Sequence, residues 1–151
     1  MMVRLIYVSR FKGDQPFAAV DRIVAQSRRN NPSHGVTGVL CHTGSLFMQV
    51  LEGSRESVNA LYNKINRDDR HRDVTLLEYA EIFERRFAGW TMGRVNLDKV
   101  NASMLLKYAE QPEFDPCRLS GKVSLALLEE LLTSAAVLMR PESLGAESSD
   151  G

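Results

Sequence analysis

The chain has 151 residues, 44% of them hydrophobic, which is room for one domain with a substantial core and little else. Its 19 Lys and Arg residues balance 19 Asp and Glu residues, and the densest basic clusters are the pairs Arg28–Arg29 and Arg85–Arg86, so nucleic acid is not expected as the main partner. No apolar run reaches membrane-span length, Arg4 and Arg10 break any signal-peptide pattern, and Cys41 and Cys117 give neither a disulfide framework nor metal spacing; a soluble protein of the reducing cytoplasm, with no membrane partner, is expected.

Val3 to Ser9 is rich in β-branched and aromatic residues and is predicted to be the first strand. Asp14 is the expected N-cap of the first helix, with Pro16 in its first turn and Phe17, Val20, Ile23, Val24 and Ser27 recurring at helical spacing. That helix is predicted to end near Asn30-Asn31-Pro32, because a residue before proline avoids the α region. Val36 to His42 forms a second strand, and the turn Thr43-Gly44-Ser45 leads into a third, Leu46 to Leu51, making a hairpin. Ser54 can cap a second helix whose buried face is Val58, Leu61, Tyr62 and Ile65. Val74 to Phe83 and Thr91 to Leu97 are predicted as the fourth and fifth strands. Val100 to Tyr108 is expected as a short helix and Val123 to Met139 as a longer one, capped by Ser120, with Leu127, Leu128, Leu131, Leu132 and Ala135 along one side; Pro112 and Pro116 mark the loop between them.

This order is β-α-β-β-α-β with one extra strand, an α+β, ferredoxin-like arrangement when the crossovers are right-handed. The first and third strands then lie side by side at the centre, with both helices on one face. Alternation turns Leu5, Tyr7, Phe47, Gln49 and Leu51 toward the helices, and Ile6, Val8, Met48 and Val50 to the equally apolar opposite face. That second face needs cover, which the C-terminal helices are expected to supply. The predicted division is a domain over 1–97, a helical cap over 98–140 and a disordered tail over 141–151.

Gln49 sits inside the apolar run FMQVLEG, where a buried amide without a partner costs roughly 1–3 kcal/mol. Tyr7 sits in a similar run, RLIYVS, and the topology brings the two together. Ile23, Ser27 and Asn30 or Asn31 stack along one stripe of the first helix, and Ile65 can face Ile23 from the second, forming a slot above the central strands. Taken singly these residues read more readily as ordinary features: Ile23 and Ile65 as core, Asn30-Asn31 as a helix ending, Lys64 and Asp68 as a solvated helix end, Arg70-His71 as a solvated turn. His34 and His42 lack partners at metal-ligand spacing, and no phosphate-binding glycine motif or nucleophile elbow occurs.

Six segments in order, RLIYVS, SRRNN, GVTGVL, FMQVLEG, DDRH and RRFAGWTMG, make the sequence resemble the BLUF family of blue-light sensors that use FAD, over roughly residues 3–97. The resemblance implies a photoreceptor and not a turnover enzyme. It implies that Tyr7 is the electron and proton donor beside the flavin and Gln49 the amide whose hydrogen bonds are rearranged by light. Asn31 would bond the C4 carbonyl and N3 edge with Asn30 on the same rim, Ile23 and Ile65 would sandwich the ring beside Ser27, and Trp90 and Met92 would approach Gln49 from the fifth strand. Lys64, Asp68, Arg70 and His71 match family positions around the pyrimidine edge and ribityl phosphate. Thr91 departs from the Ser or Ala that the family often carries there. The implied cofactor is FAD, with FMN or riboflavin as possible substitutes.

In length and helical tail the chain is similar to short stand-alone members, which implies output through an unknown downstream signalling protein or through self-assembly. Leu125, Leu127, Leu128, Leu131, Leu132 and Leu138 exceed what one helix face requires, so a homo-oligomer, at least a dimer, is expected. Two readings of other classes are an acylphosphatase-like hydrolase using Asn30 or Asn31 with Arg28 or Arg29, and a flavin-free adaptor. Both leave Tyr7 and Gln49 without a role.

Overall fold

The computed structural model describes residues 1–115 and 118–134. Its elements are β1 (Met2–Phe11), α1 (Pro16–His34), β2 (Thr37–His42), β3 (Leu46–Ser54), α2 (Arg55–Arg67), β4 (His71–Ile82), β5 (Gly93–Asn96), a 3-10 turn (Leu97–Lys99), α3 (Ala102–Tyr108) and α4 (Gly121–Ser134). The strands form one sheet in the order β4-β1-β3-β2-β5, antiparallel except for the parallel pair β2–β5. This is the ferredoxin-like order with an added edge strand, and it places β1 and β3 at the centre as expected.

The two sheet faces bury separate cores. Leu5, Tyr7, Phe47 and Leu51 pack with Val20, Ile23 and Val24 of α1 and Val58 and Ile65 of α2. Ile6, Met48 and Val50 pack on the other side with Leu128 and Leu132 of α4. Ser120 caps α4, its Oγ accepting from the Val123 N–H at 3.1 Å. Of the α4 leucines in the described residues, Leu127 and Leu128 are fully buried, Leu132 is buried, and Leu125 and Leu131 are partly buried against this second core. Ala135, Leu138, the predicted helical turn to Met139, Pro116 and the 141–151 tail lie outside the described residues.

Two local expectations are corrected. First, α1 does not stop at Asn30-Asn31-Pro32 but runs through Pro32 to His34, and Gln15, not Asp14, stands at its N-cap. Its stop is Gly35, whose φ of 66° is left-handed. Gly35 N–H donates to the Pro32 carbonyl and Val36 N–H to the Asn31 carbonyl, the paired bonds of a Schellman closure. Glycine meets that φ without strain, so it ends the helix more decisively than the proline one turn earlier. Second, β5 begins at Gly93, so Trp90 and Met92 lie in the loop ahead of it and not on the strand. Their carbonyls are engaged elsewhere, Trp90 O by Gly38 N–H at 2.9 Å and Met92 O by Arg28 Nε at 3.2 Å.

Candidate functional site

Tyr7 and Gln49 are directly opposed across β1 and β3. The Tyr7 hydroxyl donates to Gln49 Oε1 at 2.6 Å, and both residues are buried. Burial, reinforced by the Asp68 carboxylate and Tyr62, pushes the Tyr7 phenol well above its ordinary pKa, so it is a neutral donor at any physiological pH. With Oε1 turned to the phenol, Gln49 Nε2 faces Met92, 3.4 Å from its Sδ. An amide carries a donor and an acceptor in nearly the same shape, so exchanging their positions rewires the neighbourhood without changing its packing.

Above this pair a cavity of about 160 Å³ opens between α1 and α2. Ile23, Ser27, Asn30 and Asn31 line it from α1, Lys64 and Ile65 from α2, Asp68, Arg70 and His71 from the α2–β4 turn, and Tyr7 and Gln49 from the sheet. These are all the sequence-proposed site residues except Trp90 and Met92. Met92 packs in the core on the cavity side of the sheet and lies against Gln49 Nε2, and Trp90 packs with the core on the opposite sheet face.

The cavity also takes in Gln26, His34, Val36, Ser57, Ala60 and Leu61. Ser57, Leu61 and Lys64 fall at i, i+4 and i+7, and His34 lies one turn past Asn30, so stripe spacing carried along both helices would have found most of them.

Asn31 is 4% exposed, and its Nδ2 has no hydrogen-bond partner. A buried donor in that state costs about 1–3 kcal/mol, which a ligand acceptor in the cavity would recover. Arg70 closes one end: its guanidinium bonds both Asp68 oxygens and reaches Gln26 Oε1 on α1 at 3.2 Å. His71 Nδ1 is 2.7 Å from Ser9 Oγ, and its ring meets the Tyr7 ring edge-on at 6.1 Å between centroids. Apolar walls, an orphaned amide donor on one rim and an ionic cluster at the end fit a flat heteroaromatic ring with a polar edge and an anionic tail. Arg28, one of the two arginines the hydrolase reading offered beside Asn30 or Asn31, donates to the Met92 carbonyl.

Acid should loosen this end of the cavity. Arg70 hydrogen bonds hold the Asp68 carboxyl below the usual carboxylate range, and burial holds the His71 and His42 imidazoles below theirs. Each folded pKa lies under its unfolded value, so the unfolded chain takes up protons that the folded chain refuses. The stabilisation is complete above the unfolded values and declines as pH falls. Melting temperature should therefore drop from about pH 6.5 downward through the imidazoles, and again near about pH 4 through Asp68. His71→Gln should flatten the first step without abolishing it, since His42 remains; an unchanged profile would count against the buried neutral His71.

A family model described as sensors of blue light using FAD, BLUF, matches residues 2–93. The blue light- and temperature-regulated antirepressor BluF of Escherichia coli (strain K12) is 38% identical over 89 residues, covering 58% of this chain and 22% of that protein. The structure of BlsA in its photo-activated state superposes with a TM-score of 0.79 at 31% identity, covering 87% of this chain and 95% of that one. The dark-state structure of BlrB, a BLUF protein, gives 0.73 at 30% identity, with 89% and 96% covered.

Proposed function

This chain belongs to the BLUF family of blue-light sensors that use FAD, and we propose that its photochemical switch is the buried Tyr7–Gln49 pair beneath a flavin held between α1 and α2. The observation that carries the reading is the 2.6 Å Tyr7–Gln49 bond at the floor of a cavity whose rim holds the unpartnered Asn31 amide. A flavin bound there would supply the blue-light absorption and the electron- and proton-accepting capacity that the protein's own side chains lack. Ile23 and Ile65 would flank the ring, Ser27, Asn30 and Asn31 would hold its carbonyl edge, and Lys64, Asp68, Arg70 and His71, which line the same cavity, would hold the pyrimidine edge and the phosphate side. Tyr7 would give up one electron and its hydroxyl proton and then recover both, while Gln49, the group accepting the phenol's hydrogen bond, exchanges its partners. Low dielectric makes one altered bond consequential. Met92 Sδ, a weak acceptor beside Gln49 Nε2, registers the exchange first.

The cofactor proposed is FAD; release of FMN or riboflavin on denaturation would instead identify the substitute. Asn31→Ala should weaken flavin retention by about tenfold or more, as expected for loss of a buried hydrogen bond to the ring. Equilibrium dialysis measures it, and unchanged retention would remove Asn31 from the site. The role is sensing and not turnover, with output through another protein or a second copy of this chain at the C-terminal helices. That face is supported by α4 covering the sheet opposite the cavity. Among the described residues no helix is long and apolar enough to cross a membrane, and a free buried thiol, Cys41, suits the cytoplasm. Light scattering on dark and illuminated samples separates a light-dependent assembly from a heterologous partner.

A further inference from the structure

We propose that Glu52 is a positioning residue for this switch: from the sheet face opposite the cavity, it holds the 83–92 loop so that Met92, and not Trp90, is presented to Gln49. The proposal rests on the functional reading above and adds a residue outside the cavity to it. Glu52 stands three positions after Gln49 on β3, on the other face, and is fully buried.

Its carboxylate is saturated by N–H donors. Oε2 accepts from Arg4 Nε at 2.9 Å and from the Arg86 backbone N–H at 3.1 Å, and lies 2.9 Å from Arg4 Nη2; Oε1 accepts from the Phe87 backbone N–H at 2.8 Å. One buried side chain therefore ties β3, β1 and the start of the loop together. Charge-assisted bonds of this kind are about twice as strong as neutral ones.

From there the connections run straight to the two residues in question. Trp90 N–H donates to Phe87 O at 3.0 Å, and Trp90 O accepts from Gly38 N–H at 2.9 Å. The Trp90 indole lies across Gly93, where a Cβ would fall 2.4 Å from its ring, so the indole is seated against the lower core. Seating Trp90 there leaves Met92 beside Gln49. Other bonds hold the loop too: Arg85 Nη2 donates to Gly35 O at 2.7 Å, Arg85 Nη1 to Thr37 Oγ1 at 2.9 Å and Arg28 Nε to Met92 O at 3.2 Å, but Glu52 alone takes the Arg86 and Phe87 N–H groups, between the exposed Phe83 and Trp90. Arg86, pinned through its backbone, also places Nη1 2.8 Å from Glu129 Oε1 on α4. That exposed pair adds little stability, but it puts the loop and the covering helix in contact at the residue Glu52 holds.

The test is Glu52→Gln in the full chain. Trp90 is the only tryptophan, so its emission reports on this loop alone. Acrylamide quenching of Trp90 and the rate of dark recovery should each rise by about three- to tenfold, the range for losing the net contribution of one ordinary hydrogen bond from an opening equilibrium, with the dark flavin spectrum unchanged. If Glu52→Gln fails to fold, the double variant Arg4→Met/Glu52→Leu removes both buried charges together and should show the same two changes. A purely structural role would lower the melting temperature without moving Trp90 quenching in the folded protein. Unchanged quenching, or faster recovery with quenching unmoved, overturns the proposal. The quenching readout does not need bound flavin, so a wild-type chain that took up none would undo the functional reading and leave this test standing.

Discussion

Gln49→Leu should give a protein that is still yellow in the dark and forms no red-shifted lit state. Leucine keeps nearly the same volume but removes both the amide donor and the amide acceptor. The cavity walls, Ile23 and Ile65, and the Asn31 rim are untouched, so flavin retention should be close to wild type. The Tyr7 hydroxyl loses its acceptor while fully buried, which costs about 1–3 kcal/mol of stability. Light would still excite the bound ring, but no amide remains whose partners can exchange. Tyr7→Phe, which removes the donor of the same bond, should abolish the normal photocycle by the complementary route. Difference spectra before and after blue light measure both; a full, reversible red shift in Gln49→Leu would show that the switch lies elsewhere.

Gly38→Ala should be the most damaging single methyl in the described structure. Gly38 pairs with Leu51 in the β2–β3 ladder, and a Cβ there would lie 1.9 Å from the Val50 carbonyl oxygen. The obstacle is backbone of a central strand, which cannot rotate aside, so β2 must separate from β3. The Gly38 N–H bond to Trp90 O would go with it. The cost should exceed about 4 kcal/mol, a large part of the stability of a domain this size. Urea denaturation gives the value, and a midpoint equal to wild type would mean that the β2–β3 spacing described here is wrong. Because Gly38 carries no cavity contact, loss of flavin in this variant should track loss of fold.

Much of this was legible in the sequence because the sheet obeys a period of two. Tyr7 and Gln49 had to share a face with Leu5 and Leu51, and once β1 and β3 were adjacent they had to meet. The helix stripes were equally readable, since Ile23, Ser27 and Asn31 recur at one-turn spacing. What the pattern hid was set by backbone bonds and tertiary contacts. Pro32 looked like a stop, but α1 continues to the left-handed Gly35, with Asn31 buried inside the helix and not at its end. Thr91 to Leu97 read as a continuous strand, yet the Trp90 and Met92 carbonyls are captured by Gly38 and Arg28, so β5 starts later. Glu52 gave no warning either: a glutamate at a strand end reads as solvated until Arg4 and two loop N–H groups are seen to surround it. How many of the α4 leucines the sheet would cover was not legible either, because nothing in the sequence told how wide a face the sheet would present.

Blue light should change the hydrogen bonding around one buried amide, and the visible spectrum of the purified chain before and after illumination tests this most directly. Flavin absorption in the dark, a red shift on illumination and its spontaneous return in darkness are expected, all lost in Gln49→Leu except the flavin absorption itself. A chain that stays colourless after FAD is added, or one that binds flavin and shows no reversible shift, would contradict it.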